Sequence, residues 1–303
     1  MAYEFDLTRP LDDELRRIAL ERVDHALGQI DTAGVSDPER VHEIRKDCKK
    51  LRGLLRLVRP AVPELYKQEN AAFRDVAAEL SRLRDAEAAI ETFDALIAHF
   101  RANLAPESLL PIRRALESHH ERLAANIQPL GDQLQATGAV LAEARERVLA
   151  WSLPGVSDED AGWPLIGPGL AKTYKRGRRA MAKADAEPSV ETFHDWRKRA
   201  KYLRYHIRLL RPAWPKLLKA THREVKRLGD WLGDAHDIAV LEQTLADAED
   251  LSPSGDNEKT LLALAAQRRA QLRQQAHALG VRLYAEKPKH LERRMRSYWQ
   301  HAR

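Results

Sequence analysis

Residues 41–60 read VHEIRKDCKKLRGLLRLVRP, and residues 193–212 read FHDWRKRAKYLRYHIRLLRP, a second copy at a constant offset of 152. Ten of the twenty positions are identical: His42/His194, Arg45/Arg197, Lys46/Lys198, Lys49/Lys201, Leu51/Leu203, Arg52/Arg204, Arg56/Arg208, Leu57/Leu209, Arg59/Arg211 and Pro60/Pro212. Most shared residues are charged, so the repeat preserves a surface as well as a core. Spacing defines that surface. His42, Arg45, Lys49, Arg52, Arg56 and Arg59 advance in alternating steps of 3 and 4, which at about 100° per residue keeps them on one face of an α-helix. His194, Arg197, Lys201, Arg204, Arg208 and Arg211 do the same. At about 1.5 Å rise per residue each row is about 25 Å long. Ile44, Cys48, Leu51, Leu55 and Val58 repeat with the same period on a neighbouring stripe, so each helix buries one face and presents a cationic ladder beside it. Like charges at i,i+4 repel by a few tenths of a kcal/mol per pair. Helix stability therefore does not reward such a row, whereas a polyanion would.

The chain has 303 residues, enough to bury a substantial core. Leu, Ala, Arg and Glu dominate, and Gly is sparse outside a stretch near residue 155, which predicts an all-α protein. The net charge is +6, but its distribution is uneven: the two copies carry +5 and +6, leaving the other residues at −5. Charge focused in this way is the footprint of an anion-binding channel rather than of a uniformly basic surface. The single cysteine, Cys48, excludes an intramolecular disulfide and sits in the apolar stripe as a core residue. Met1 to Pro10 contains acids and no apolar run, and no segment approaches the ~20 apolar residues needed to span a bilayer. The expectation is a cytoplasmic protein without membrane contact.

In chain order, residues 10–31 form an amphipathic helix, and Ser36-Asp37-Pro38-Glu39 gives a helix start with the form of a capping box. The first ladder follows and Pro60 stops it. A third helix is expected from Pro63 to about Leu83, with Lys67 and Arg74 on one side; Lys219 and Lys226 stand at the same offset of 152. Two or three helices fill residues 86–150, interrupted near Pro106 and Pro129. His119-His120 makes a poor chelate, because adjacent helical residues point about 100° apart. Residues 151–169, WSLPGVSDEDAGWPLIGPG, break the helical pattern and connect the halves, with Trp151 and Trp163 pinning the connection. The division is 1–150, a connection at 151–168, and 169–303. The second ladder begins after Ser189 and Pro212 closes it. A polar turn at 252–257 precedes a long helix to about Glu286, and a last helix follows Pro288.

The motif H-x-x-R-K-x-x-K-x-L-R, present twice and followed in each half by a short motif ending in Asp (RLRD at 82–85, GDAHD at 233–237), resembles the CHAD family, the conserved histidine α-helical domain. The resemblance covers nearly the whole chain. It implies two antiparallel, four-helix-bundle-like halves related by pseudo-two-fold symmetry around a basic central groove or pore. It also implies binding of inorganic polyphosphate and association with polyphosphate granules and their proteins. Carried over, the binding residues are His42, Arg45, Lys46, Lys49, Arg52 and Arg56 in the first half. In the second they are His194, Arg197, Lys198, Lys201, Arg204 and Arg208, with Lys67, Arg74, Lys219 and Lys226 as contributors. The sequence departs from that family pattern at two points: Lys50 is matched by Tyr202 and Arg84 by His236. The E-x-E-x-K signature of the CYTH triphosphatase domain, which some relatives carry, is not found.

The chemistry of the ladders agrees with that resemblance. A linear polyanion suits two cationic rows, Arg supplying a planar fork for phosphate oxygens and Lys a mobile point charge. His42 and His194 donate a hydrogen bond when neutral and add charge when protonated. Nucleic acid is the principal rival, although neither row interleaves the aromatics of a stacking platform; Tyr202 and Tyr205 occur in one copy only. A metal-dependent polyphosphate-processing enzyme is the other, but such chemistry clusters carboxylates around a metal. Asp85 and Asp237 stand alone and read as partners that orient a basic side chain. The expectation is a non-catalytic binder with no cofactor and no metal.

Overall fold

The computed structural model describes all residues except 1–2, 31, 33, 81, 102–105, 126–129, 154–161 and 248–255; for 82–87, 106, 108, 124–125, 247 and 256–258 it describes only their place in an element. Among the described residues there are eleven α-helices and no strand: α1 (Leu11–Gly28), α2 (Asp37–Val58), α3 (Pro63–Glu79), α4 (Arg82–His99), α5 (Leu110–Ala125), α6 (Leu130–Leu149), α7 (Trp163–Ala186), α8 (Val190–Leu209), α9 (Pro215–Asp247), α10 (Asp256–Leu283) and α11 (Pro288–Ala302). Helices α1 and α7, and likewise α3 and α9, start 152 residues apart, so the duplication extends beyond the ladders.

Local sequence explains where the ladder helices begin and end. Ser36 is the N-cap of α2, but its side chain makes no capping bond. Pro38 has no N–H to offer, and the N–H of Glu39 turns to the Ser36 carbonyl instead at 3.1 Å. The reciprocal box appears on α8, where the Thr192 N–H donates to Ser189 Oγ and the Ser189 N–H to Thr192 Oγ1. Both ladders stop shortly before Pro60 and Pro212, at Val58 and Leu209. Helix α3 ends at Glu79, earlier than Leu83, whereas its counterpart α9 continues unbroken for 33 residues. The turn expected at 252–257 lies mostly outside the described residues.

Two apolar cores result. The larger draws on α1, α2, α3, α6, α7, α8, α11, the first part of α9 and the last turns of α10, running from Tyr3 to Trp299. The smaller joins α4 and α5 to the later part of α9 and to α10 through Phe93, Leu96, Ile112, Ile238, Leu245 and Leu261. Both draw on residues from the two repeats. Cys48 is buried, which pushes its thiol up to about 12 and leaves it a core side chain.

The connection is more helical than its prolines and glycines suggest. Helix α7 begins at Trp163, with Pro164 in its first turn and Pro168 inside it. Gly169 is there because of proximity: an added Cβ would lie 1.7 Å from the Leu57 carbonyl oxygen of α2. Trp151 and Trp163 are both buried, and the Trp163 indole N–H donates to Glu292.

The ladder helices meet at paired positions. An added Cβ on Gly53 would lie 2.9 Å from the Tyr205 ring, and Tyr205 stands 152 residues after Gly53. Beside them, buried His206 donates from Nε2 to the Gly53 carbonyl at 3.0 Å. Gly169→Ala is expected to destabilise the protein by about 3 kcal/mol or more, because backbone blocks the new methyl. Gly28→Ala, with nothing within 4 Å, is expected to stay within about 1 kcal/mol of wild type and to fall on the stabilising side. Denaturant titration of the two variants checks the contrast.

Candidate anion-binding site

Above the crossing, the first turns of α2 and α8 converge on a cavity of about 580 Å³. His42, Arg45, Lys49 and Arg52 line it from α2, and His194, Arg197, Lys198 and Lys201 from α8. Helix α9 adds His236, Asp237 and Val240, α4 adds Ala88 and Ala89, and Tyr202 and Tyr205 complete the wall. Half of the sixteen residues carried over from the sequence are thereby brought together.

Neighbouring elements hold the cations in place. Arg45 donates from Nη1 to the Ala77 carbonyl near the end of α3 at 2.6 Å. Arg197 reaches Asp237 at 3.8 Å, the orienting role expected for that aspartate. Gly233 leaves room for the same guanidinium, since a Cβ there would stand 3.3 Å from Arg197 Nε. Arg52 Nε donates to Asn70 at 3.3 Å. The side chain of Asp85 lies outside the described residues.

Crowding of like charge dominates the electrostatics. Burial, followed by Lys201, Arg45 and Arg197, lowers the Lys49 ammonium to about 7. Burial and the charges of Arg197 and Arg204 lower Lys201 to about 8, with Asp237 opposing. His194 falls to about 4 through burial, His236, Lys198 and Arg197. His236, its ring centroid 4.4 Å away, falls to about 4 through burial, Arg197 and Lys198. Both imidazoles are therefore neutral at pH 6–8, and of the two roles expected for His194 only donation remains in the free protein. The Nδ1 atoms of His194 and His236 and the Nε of Arg197 are buried without a hydrogen-bond partner.

The other carried-over residues do not line this wall. Arg56 stacks over Tyr202 at 3.8 Å and donates to Asn70 at 2.8 Å. Arg204 lies over Tyr205 at 5.3 Å, and Arg208 faces Glu4 at 3.9 Å. Lys46 pairs with Glu43 at 2.8 Å, Arg74 with Asp75 at 2.7 Å and Lys226 with Asp230 at 2.6 Å. Lys67 is exposed, and Lys219 stands at a separate cleft with Glu4 and Arg211. His236 was visible in sequence only as a departure from the repeat, and Asn70 carried no signal there.

Among the described residues no three His, Cys, Asp or Glu side chains come together as metal ligands, and no helix is long and apolar enough to cross a membrane.

The pH dependence of stability has a definite sign. Between about pH 7 and the ordinary lysine value of 10.5, the unfolded chain holds a proton on residue 49 that the folded chain has lost. Stability therefore rises with pH through that window. Lys49→Met is expected to raise the thermal midpoint most below pH 7, with a gain that shrinks toward pH 10. Thermal melts across that range would show otherwise if the gain were independent of pH.

The sequence profile of the CHAD domain matches residues 17–246. No curated protein matches the chain. Among solved structures, the crystal structure of the CHAD domain from the plant Ricinus communis is similar, with a TM-score of 0.53 at 17% identity over 94% of each chain. At that identity the likeness concerns the fold.

Proposed function

The chain belongs to the CHAD domain family, and from that premise and the cavity's charge we propose that it binds inorganic polyphosphate without catalysing its turnover. The observation that carries this reading is the convergence of Arg45, Lys49, Arg52, Arg197, Lys198 and Lys201 on one cavity wall. Crowded and partly desolvated cations give up stability in the free protein that a polyanion restores by neutralising them. The neutral His194 and His236 rings add donors beside the cations, and phosphate oxygens accept from both kinds of group. Association with granules in the cytoplasm and with proteins there belongs to the same proposal.

The cavity's aromatics favour polyphosphate over nucleic acid. Tyr205 is buried against Gly53 and meets Tyr3 edge-on at 6.0 Å, while Tyr202 carries Arg56 on its ring at 3.8 Å. Tyr205 therefore offers no open face on which a base stacks, and one face of Tyr202 is already taken by Arg56. Asp237 is the cavity's one described carboxylate and is turned toward Arg197, which supports binding rather than metal-assisted hydrolysis.

Titration with long-chain polyphosphate tests the proposal. A variant with Arg45, Lys49, Arg197 and Lys201 changed to Ala is expected to lose about 100-fold or more in affinity while keeping its helical circular dichroism. For wild type, six cations imply a log–log salt slope of roughly −4. RNA of equal charge is expected to compete poorly, and free phosphate to stay constant with Mg²⁺ or Mn²⁺ present. A flat salt response, or equal affinity in the variant, would sink the proposal. Binding should also take up protons near pH 8, because a polyanion returns Lys49 and Lys201 to their charged forms. Calorimetry in buffers of different ionisation enthalpy measures that uptake; its absence would mean that these two lysines do not meet the ligand.

A further inference from the structure

Beyond the crossing, Arg56 and Arg59 leave the first ladder and meet Lys172 and Arg176 of α7 and Arg199 of α8 around a small cleft. Tyr202 separates this cleft from the large cavity, since it lines both. The Arg56 Nε is buried without a hydrogen-bond partner. Asp195 pairs with Arg199 at 2.9 Å, so among the described residues one carboxylate stands against the cluster's five cations. Burial and the charges of Arg199 and Arg59 hold Arg176 below its ordinary value, the sign of cations gathered without enough anion.

The duplication supplies a comparison within the same chain. Arg208 and Arg211 occupy the positions of Arg56 and Arg59, and there the N-terminal segment delivers a carboxylate. Glu4 Oε1 lies 2.5 Å from Arg211 and 3.9 Å from Arg208. Where the second half has Lys172, Arg176 and Arg199, the first has Leu20, Asp24 and Asp47. One arginine pair is thus met by an anionic group of the chain itself, and its counterpart is surrounded by further cations.

From this asymmetry we propose that the cleft between α2, α7 and α8 is a second anion site, which takes a phosphoryl group on Arg56, Arg59, Arg176 and Arg199. The phosphoryl group can belong to a small free anion or to a stretch of polymer whose neighbouring units occupy the large cavity. The chemistry at the cleft is the same in both cases: guanidinium forks donate to phosphate oxygens.

Two arms of one experiment distinguish the sources. Inorganic pyrophosphate and long-chain polyphosphate are titrated into wild type, Arg59→Ala/Arg176→Ala and Lys49→Ala/Lys201→Ala. A free-anion site predicts that the cleft variant weakens pyrophosphate at least tenfold and the cavity variant does not. A polymer site predicts no pyrophosphate binding at the cleft, but a tenfold loss of polyphosphate affinity in the cleft variant and a salt slope shallower by about one to two units. Unchanged affinity for both ligands in the cleft variant overturns the proposal. Polyphosphate binding that ignores the cavity variant but is lost in the cleft variant would defeat the reading of the large cavity and leave this one standing. Arg176→Gln, which keeps most of the side-chain bulk and relieves charge crowding, should weaken binding in the same way with a thermal midpoint no lower than that of wild type. If it does not, the effect of the double variant is structural and the site is disproved.

Discussion

Close approach of α2 and α8 is the constraint on which the rest of the structure depends. Gly53 lets the Tyr205 ring lie against the α2 backbone, and His206 ties the two helices through the Gly53 carbonyl at 3.0 Å. A side chain at residue 53 would push against the Tyr205 ring and hold the helices apart. Gly169 enforces the same proximity between α7 and α2 at the Leu57 carbonyl. The backbone contacts therefore set the cavity's width, and the cations inherit their spacing from them.

The cavity's electrostatics follow from that spacing. Ammonium and guanidinium groups that would be independent on a solvated helix face one another across a partly desolvated volume. Lys49 and Lys201 are driven toward neutrality, and His194 and His236 are held neutral. Such a wall is preorganised: the unfavourable work of gathering charge is done on folding, and its donors are already fixed by Ala77, Asp237 and Asn70.

Much of this was legible in the sequence, for identifiable reasons. Helical period and prolines placed α1, α2, α8 and α11 closely, because their stripes are regular and prolines bound them. Identity between the copies singled out the cations before any geometry was known. Periodicity alone treated each ladder as one continuous face, and a face cannot show that another helix crosses it at Gly53. Arg56 and Arg208 consequently part company with Arg45 and Arg197, although all share one stripe. The connection misled for the opposite reason. Gly and Pro are turn formers by statistics, but Gly169 serves a helix–helix contact and Pro168 is tolerated inside α7. His236 and Asn70 reach the site from α9 and α3, and only tertiary structure could bring them there.

Helix α9 gives the molecule a mechanical property. Its early turns, through Leu218, Val225 and Leu228, are anchored in the larger core, and its late turns, through Ile238, Leu241 and Leu245, in the smaller one. His236 and Asp237 lie at the near end of the second anchorage, between Ala235 and Ile238. The stretch of α9 that forms the cavity wall is thus seated directly on the smaller core. Slackness among Phe93, Leu245 and Leu261 would be transmitted as movement of His236 and Asp237, so side chains remote from the cavity set the stiffness of its wall.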